Sequence, residues 1–186
     1  MSTTLLITLG LVAVILLYAI TVYNKLIGMR NQVKEGASDI DVQLKRRYDL
    51  IPNLIETVKG SKNFEQETLE KVIKARQTAI DISGLTKEKL AAENMLSGAL
   101  RQMFALSESY PDLKSNQNFL ALQEELTNTE DRILASRRFY NAAVKDYNTY
   151  QMQFPAMLFR SLAGAKEEPF FEVESAEERK NVKVAF

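Results

Sequence analysis

No charged side chain occurs in this sequence before Lys25, and residues 5–23 read Leu-Leu-Ile-Thr-Leu-Gly-Leu-Val-Ala-Val-Ile-Leu-Leu-Tyr-Ala-Ile-Thr-Val-Tyr. As a helix that run rises about 28 Å, the hydrocarbon thickness of a bilayer. Residues 1–24 are therefore expected to anchor the chain in a membrane. A cleaved signal peptide needs a basic start, a shorter apolar core and a small-x-small exit. Here Met-Ser-Thr-Thr holds no Lys or Arg, and the run leaves through Thr21, Val22 and Tyr23. A lipoprotein anchor is excluded because there is no cysteine to acylate.

Basic residues set the expected orientation. None precedes the span, whereas Lys25, Arg30 and Lys34 follow it closely and Lys45, Arg46 and Arg47 come soon after. The positive-inside rule then places the N-terminus outside and the bulk of the chain in the cytoplasm. Tyr18 and Tyr23 fall near the inner end of the span, where amphipathic rings favour the headgroup level.

What remains is enough for one domain of ordinary size. Lys plus Arg equals Asp plus Glu at 24 each, so no global field draws the chain to nucleic acid. The chain has neither histidine nor cysteine. That removes thiolate nucleophiles, imidazole bases, Ser-His-Asp triads, the common zinc ligand sets and the Glu-x-x-His pairs of ferritin-type di-iron bundles. No phosphate loop, dinucleotide fingerprint, nucleophile elbow or calcium loop is present. The sequence nominates no catalytic, cofactor-binding or metal-ligating residue and no cofactor, and the chain reads as non-enzymatic.

Only seven Gly and four Pro punctuate the chain, and apolar residues recur at threes and fours rather than in alternation. The expected fold is all-α: the transmembrane helix continues into an elongated antiparallel four-helix bundle over residues 25–155, and residues 156–186 form an apolar segment and a tail. Val33, Ala37, Ile40, Leu44, Tyr48, Ile51, Leu54 and Val58 keep one phase straight through Pro52, so the first helix should run from the bilayer to about Lys59. Gly60 stops it and Asn63 is placed to cap a second helix, although a bent continuation through residues 60–63 satisfies the pattern too. The second seam is Phe64, Leu69, Val72, Ile73, Arg76, Ala79 and Ile80, ended by Ser83-Gly84. Thr86 caps a third helix with Leu90, Leu96, Leu100, Met103 and Leu106 on one face, closed by Tyr110-Pro-Asp-Leu113. The fourth, from about Ser115 to Pro155, nearly follows a coiled-coil heptad through Phe119, Leu122, Leu126, Thr129, Ile133, Ser136, Tyr140, Val144, Tyr147, Gln151 and Phe154. Beyond it, Met157, Leu158, Phe159 and Leu162 either lie in the membrane interface or pack on the anchor, or fold back on the bundle.

Polar clusters read as helix faces rather than sites. Around Lys45, Arg46 and Arg47, Asp41 and Asp49 sit four places from a basic residue, the spacing of intrahelical ion pairs. Arg47, Arg76, Arg137 and Arg138 fall close to seams, where charges need partners and more often fix register than catalyse; Asp41 and Glu130 are candidates. Glu124 with Glu125, and Glu65 with Glu67, match no metal motif.

Several of these segments form a familiar set: Tyr23-Asn-Lys-Leu-Ile-Gly-Met-Arg30, Asp41-Val-Gln-Leu-Lys-Arg-Arg-Tyr-Asp-Leu-Ile-Pro-Asn-Leu54, Ala75-Arg76, Ser136-Arg-Arg-Phe-Tyr-Asn-Ala-Ala-Val-Lys-Asp-Tyr-Asn148 with Phe154-Pro155, Phe170-Phe-Glu172 and a Val-x-Phe ending. Together they resemble the bacterial LemA family over essentially the whole chain. The resemblance implies a single-pass protein of the bacterial cytoplasmic (inner) membrane, N-terminus outside, with a cytoplasmic domain of long antiparallel helices and no established enzymatic activity. It also implies a common association with a zinc-dependent membrane metalloprotease. Lys62-Asn63-Phe64 departs locally from the family, which is expected to carry a histidine just before Glu65.

The expected role is a membrane-anchored scaffold or assembly protein that self-associates as a homo-oligomer. Its partners would be the lipid bilayer, other copies of itself and a membrane protein, with no nucleic acid; Phe104, Phe139, Tyr150 and Met152 are the candidate contact residues, and ordinary filling of the bundle accounts for them equally well. The competing role is an adaptor or regulator of a membrane-embedded enzyme such as a zinc metalloprotease, with residues 166–186 as a docking peptide.

Overall fold

The computed structural model describes residues 3–61 and 64–171, which form six helices and no strand. They are α1 (Thr3–Lys59), α2 (Gln66–Asp81), α3 (Lys87–Ser107), α4 (Pro111–Lys114), α5 (Gln117–Met152) and α6 (Ala156–Phe159).

The first helix ends at Lys59, where the unbroken apolar phase runs into Gly60. Its N-terminal stretch is long and apolar enough to cross a membrane, and nearly all of that stretch is exposed. A soluble core helix of equal hydropathy would be covered, so exposed Leu5, Ile7, Leu11, Val14 and Leu17 fit lipid as their surroundings. Among the described residues it is the one candidate span, consistent with a single-pass membrane protein.

Pro52 sits inside α1 and leaves it unbroken. A proline lacks the N–H that would bond to the carbonyl four residues back, which is that of Tyr48. The guanidinium of Arg76, on α2, supplies the missing donor: its Nε donates to the Tyr48 carbonyl at 2.9 Å.

Local signals place the other helix ends. Gly84 takes φ +78 in the connection after α2, and the Thr86 hydroxyl accepts from the Lys89 N–H at 3.1 Å to cap α3, as expected. Pro111 stands in the first turn of α4. Asn116 caps α5, its Oδ1 accepting from Asn118 N at 3.0 Å and Phe119 N at 3.2 Å. The backbone cap of α2 is Glu65, which makes no side-chain cap bond, and Asn63 lies outside the described residues.

The chain packs as two compact units. The first gathers Met1–Ile40 and Ala135–Phe170. Val22, Leu26, Val33 and Ile40 of α1 are buried in it, as are Tyr140, Val144, Tyr147 and Gln151 of α5. Gly36 belongs there because a Cβ at that position would lie 3.0 Å from Tyr140 Cα.

The second unit is built on Asp41–Leu134. Ile51, Leu54 and Val58 of α1, Leu69 and Val72 of α2, Leu96, Leu100 and Met103 of α3, Leu113 of α4, and Phe119 and Leu126 of α5 form its core. Taken across the two units, the expected first, third and fourth seams are buried almost throughout. In the second seam Leu69, Val72 and Ala79 are buried as expected, whereas Ile73 and Ile80 are exposed and Thr68 and Ala75 complete the buried stripe. Ala75 and Ala79 lie on the buried face of α2, which packs against α3.

Candidate functional site

The chemically richest point in the structure is a cluster of buried charges in the second unit. Arg47 is 1% exposed, Glu93 5% and Lys89 6%. Lys89 and Glu93 are one turn apart on α3, and Arg47 reaches them from α1. Burying such groups costs several kcal/mol per ion unless partners satisfy them.

Partners are supplied almost completely. Arg47 Nη2 donates to Glu93 Oε2. Its Nη1 donates to Glu130 Oε2 of α5 at 2.6 Å and to Ser97 Oγ at 2.9 Å. Ser97 Oγ in turn donates to the other oxygen of Glu130 at 3.1 Å. Lys89 Nζ has three hydrogens and three acceptors: the Ala79 carbonyl at 2.6 Å, the Tyr48 hydroxyl at 2.9 Å and Glu93 Oε1 at 3.3 Å. Tyr48 donates its own proton to Glu93 Oε1. Arg47 Nε is left without a partner.

Two positive and two negative groups make the cluster neutral. Burial foremost, and then the hydrogen bond to Glu93, hold the Tyr48 hydroxyl well above the ordinary phenol range, so it remains a donor. Apart from Arg47 Nε, the donor atoms of the cluster have acceptors within it, and both Glu93 oxygens are occupied. The arrangement ties α1, α2, α3 and α5 together in one register.

Of the seam arginines singled out in sequence, Arg47 takes Glu130 as one expected partner, while Asp41 is not among its partners. Arg76 completes the backbone at Pro52, Arg137 is half-buried and Arg138 is exposed. Lys45 pairs with Asp49 at 2.7 Å, Arg46 with Glu125, and Lys71 with Glu67 at 2.8 Å, all on exposed faces. The Lys71 ammonium lowers the Glu67 carboxyl below its ordinary value. Lys89, Glu93 and Ser97 escaped sequence reasoning; an i, i+4 Lys–Glu pair resembles any solvated helix face, and only their flanking of Leu90 and Leu96 hinted at burial.

Among the candidate contact residues, Phe104 turns inward to meet the Phe119 ring edge-on at 6.1 Å, and Tyr150 lies under the Lys25 ammonium at 4.7 Å. Phe139 and Met152 are exposed. A second polar device holds residues 166–169 in the first unit. Asn148 donates from Nδ2 to the Glu168 carbonyl at 2.8 Å and accepts at Oδ1 from the Glu168 N–H at 3.0 Å. Gln151 donates to Asn148 Oδ1 at 3.0 Å, and the Tyr140 hydroxyl donates to the Pro169 carbonyl at 2.9 Å. The first residues of the expected docking tail are thus engaged by their own chain, while residues 172–186 lie outside those described.

Open depressions in the second unit include one of about 340 Å³ beside Lys74, Thr78 and Met95 and one of about 540 Å³ beside Asn53, Asn118 and Glu125. Among the described residues no group of three acidic side chains converges as a metal site requires.

Residues 36–186, which include both polar devices, match the LemA family. The chain belongs to the LemA family. Protein LemA of Metamycoplasma hominis is 32% identical over 129 residues, covering 68% of this chain and 58% of that protein. Magnetosome protein MamQ 2 of Paramagnetospirillum magneticum is 23% identical over 180 residues, covering 83% of this chain and 66% of that protein. Magnetosome protein MamQ of Magnetospirillum gryphiswaldense is 22% identical over 174 residues, covering 80% and 64%. This LemA-family chain therefore spans 58–66% of the length of these curated relatives.

Proposed function

We propose that this LemA-family protein is a non-enzymatic, membrane-anchored scaffold that self-associates at the bacterial inner membrane, with its N-terminus outside and its helical units in the cytoplasm. The observation that carries this reading is the closure of the buried charge cluster: its reactive groups satisfy one another and serve to fix helices. An exposed apolar stretch at the N-terminus of α1 supports anchoring, and the basic residues that follow it support the orientation.

An antiparallel arrangement of the helices belongs to the same proposal; for α2 and α3, within the second unit, it is supported by their short connection and by Lys89 reaching the carbonyl of Ala79. Exposed Phe139 and Met152 offer apolar contacts for a second copy. Relatives named for the magnetosome, and not for a reaction, agree with an assembly role.

The test is to extract the full chain in mild detergent and determine particle mass by light scattering and composition by mass spectrometry. A homogeneous homo-oligomer is the expected result. A monomer, or a particle holding a stoichiometric membrane enzyme, would overturn the scaffold in favour of an adaptor. Protease accessibility of the helical units in intact spheroplasts checks orientation, with protection expected.

A further inference from the structure

Among the described residues, the first unit carries an apolar surface that no other part of the chain covers. Phe154 is 78% exposed, Leu162 76%, Leu158 65% and Met157 52%. They follow one another within the segment that ends α5 and makes α6. That segment is closed by a built reversal: Gly164 takes φ +58, Gly164 N donates to the Ser161 carbonyl at 3.1 Å, and Ala165 N donates to the Arg160 carbonyl at 2.9 Å. This is the paired bonding of a Schellman motif. Beyond it the chain returns along α5 to the Asn148 clamp. The apolar residues therefore occupy the outer turn of a fixed hairpin.

Two contacts give the level of this hairpin along α1. Gly36 faces Tyr140, and the Lys25 ammonium lies over the Tyr150 ring. Ten residues forward on α5 thus match eleven residues back on α1, toward the apolar run. Lys25 is the first charged residue after that run. Phe154 comes one turn past Tyr150, so it and the residues after it lie where α1 leaves the bilayer.

Charge is distributed to match. No Asp or Glu occurs before Glu35, and none occurs between Asp146 and Glu167, whereas Lys25, Arg30, Lys34, Arg160 and Lys166 fall in these stretches. Elsewhere acidic and basic residues are mixed. Arg160, exposed between Leu158 and Leu162, can lay its aliphatic stem on lipid and lift its guanidinium to a phosphate.

We propose that Phe154, Met157, Leu158 and Leu162 form a second membrane contact, immersed in the interfacial layer of the bilayer that α1 crosses. The occupant of this surface is lipid. The proposal extends the anchor reading and does not depend on self-association. It makes the first unit a body seated on the membrane at two points, one spanning and one interfacial.

Because the chain contains no tryptophan, single substitutions report unambiguously. The full-length protein is reconstituted at low protein density into phosphatidylcholine–phosphatidylglycerol vesicles, with plain or brominated acyl chains, carrying Leu158→Trp, Leu162→Trp, Leu16→Trp in the span or Met95→Trp on α3. Blue-shifted emission that loses intensity in brominated lipid is expected for Leu158→Trp and Leu162→Trp, as for Leu16→Trp, with neither effect for Met95→Trp. Emission at the water wavelength from the two α6-region reporters, or a blue shift without bromine quenching, would overturn the proposal; the latter means that protein covers the surface. An unquenched Leu16→Trp would overturn the anchor itself and this proposal with it.

Discussion

Arg76 makes the hydrogen bond that Pro52 cannot. The proline removes the N–H due to the Tyr48 carbonyl, and Arg76 Nε occupies that carbonyl at 2.9 Å. Arg76→Met should lower stability by about 1–3 kcal/mol, the cost of an unmet carbonyl. In a Pro52→Ala background the N–H returns and the same substitution should cost much less. Urea midpoints of the four proteins in detergent give the coupling; strictly additive effects would refute the relationship.

Removing a charge from the closed cluster should be severe. Glu93→Gln leaves Arg47 and Lys89 buried with half of their negative counterpart gone, and a loss of about 3–5 kcal/mol is expected. Asp49→Asn breaks the exposed pair with Lys45 and should cost no more than about 0.5 kcal/mol. Thermal unfolding followed by circular dichroism separates the two.

Gly36→Ala places a Cβ 3.0 Å from Tyr140 Cα and 3.1 Å from Phe139 Cδ1. The first neighbour is backbone and cannot step aside, so about 1–3 kcal/mol should be lost. Gly98, inside α3, has open space around it, and Gly98→Ala should gain about 0.5–1 kcal/mol from helix propensity. Opposite signs in the denaturation midpoint are the decisive observation.

Asn148→Ala frees the main chain at Glu168. Trypsin should then cut after Lys166 faster than in the parent, while cleavage after Lys87, in the other unit, is unchanged. Mass spectrometry of timed digests reads both sites.

Alkaline stability should depend on Tyr48. Its folded-state pKa is raised above the ordinary phenol value of 10.0, mainly by burial. Its contribution is therefore complete below the unfolded value, about pH 10, and is lost as pH rises from there toward the folded value. Tyr48→Phe should show a shallower fall of the urea midpoint above about pH 10, with a residual slope from Tyr140 and Tyr147, whose burial raises them too. An unchanged slope would remove Tyr48 from the account.

Helix ends were legible in the sequence because local chemistry decides them. Gly60 stops α1, Thr86 caps α3 through its own hydroxyl, and the heptad residues Phe119, Leu126, Thr129, Ile133, Tyr140, Val144, Tyr147 and Gln151 are all buried. Phe154, the last of that series, is exposed because α5 ends at Met152. The stripe on α2 is legible at Leu69, Val72 and Ala79, but periodicity also favours the large aliphatic Ile73 and Ile80, which are exposed, and passes over the small Ala75, which is buried. The charge cluster was half legible. Arg47 sits on an apolar seam and demands a partner, but Lys89 and Glu93 satisfy the pattern of a wet surface until three other helices close over them.

A guanidinium whose counterions arrive from two different helices cannot be dehydrated in instalments. With α3 docked and α5 absent, Arg47 would lack Glu130; with α5 docked and α3 absent, it would lack Glu93, and Lys89 would stay in water. Each partial assembly carries much of the desolvation cost with only part of the compensation. The second unit is accordingly built to form and to melt in a single cooperative transition, without a long-lived half-docked helix offering its apolar face to neighbouring chains.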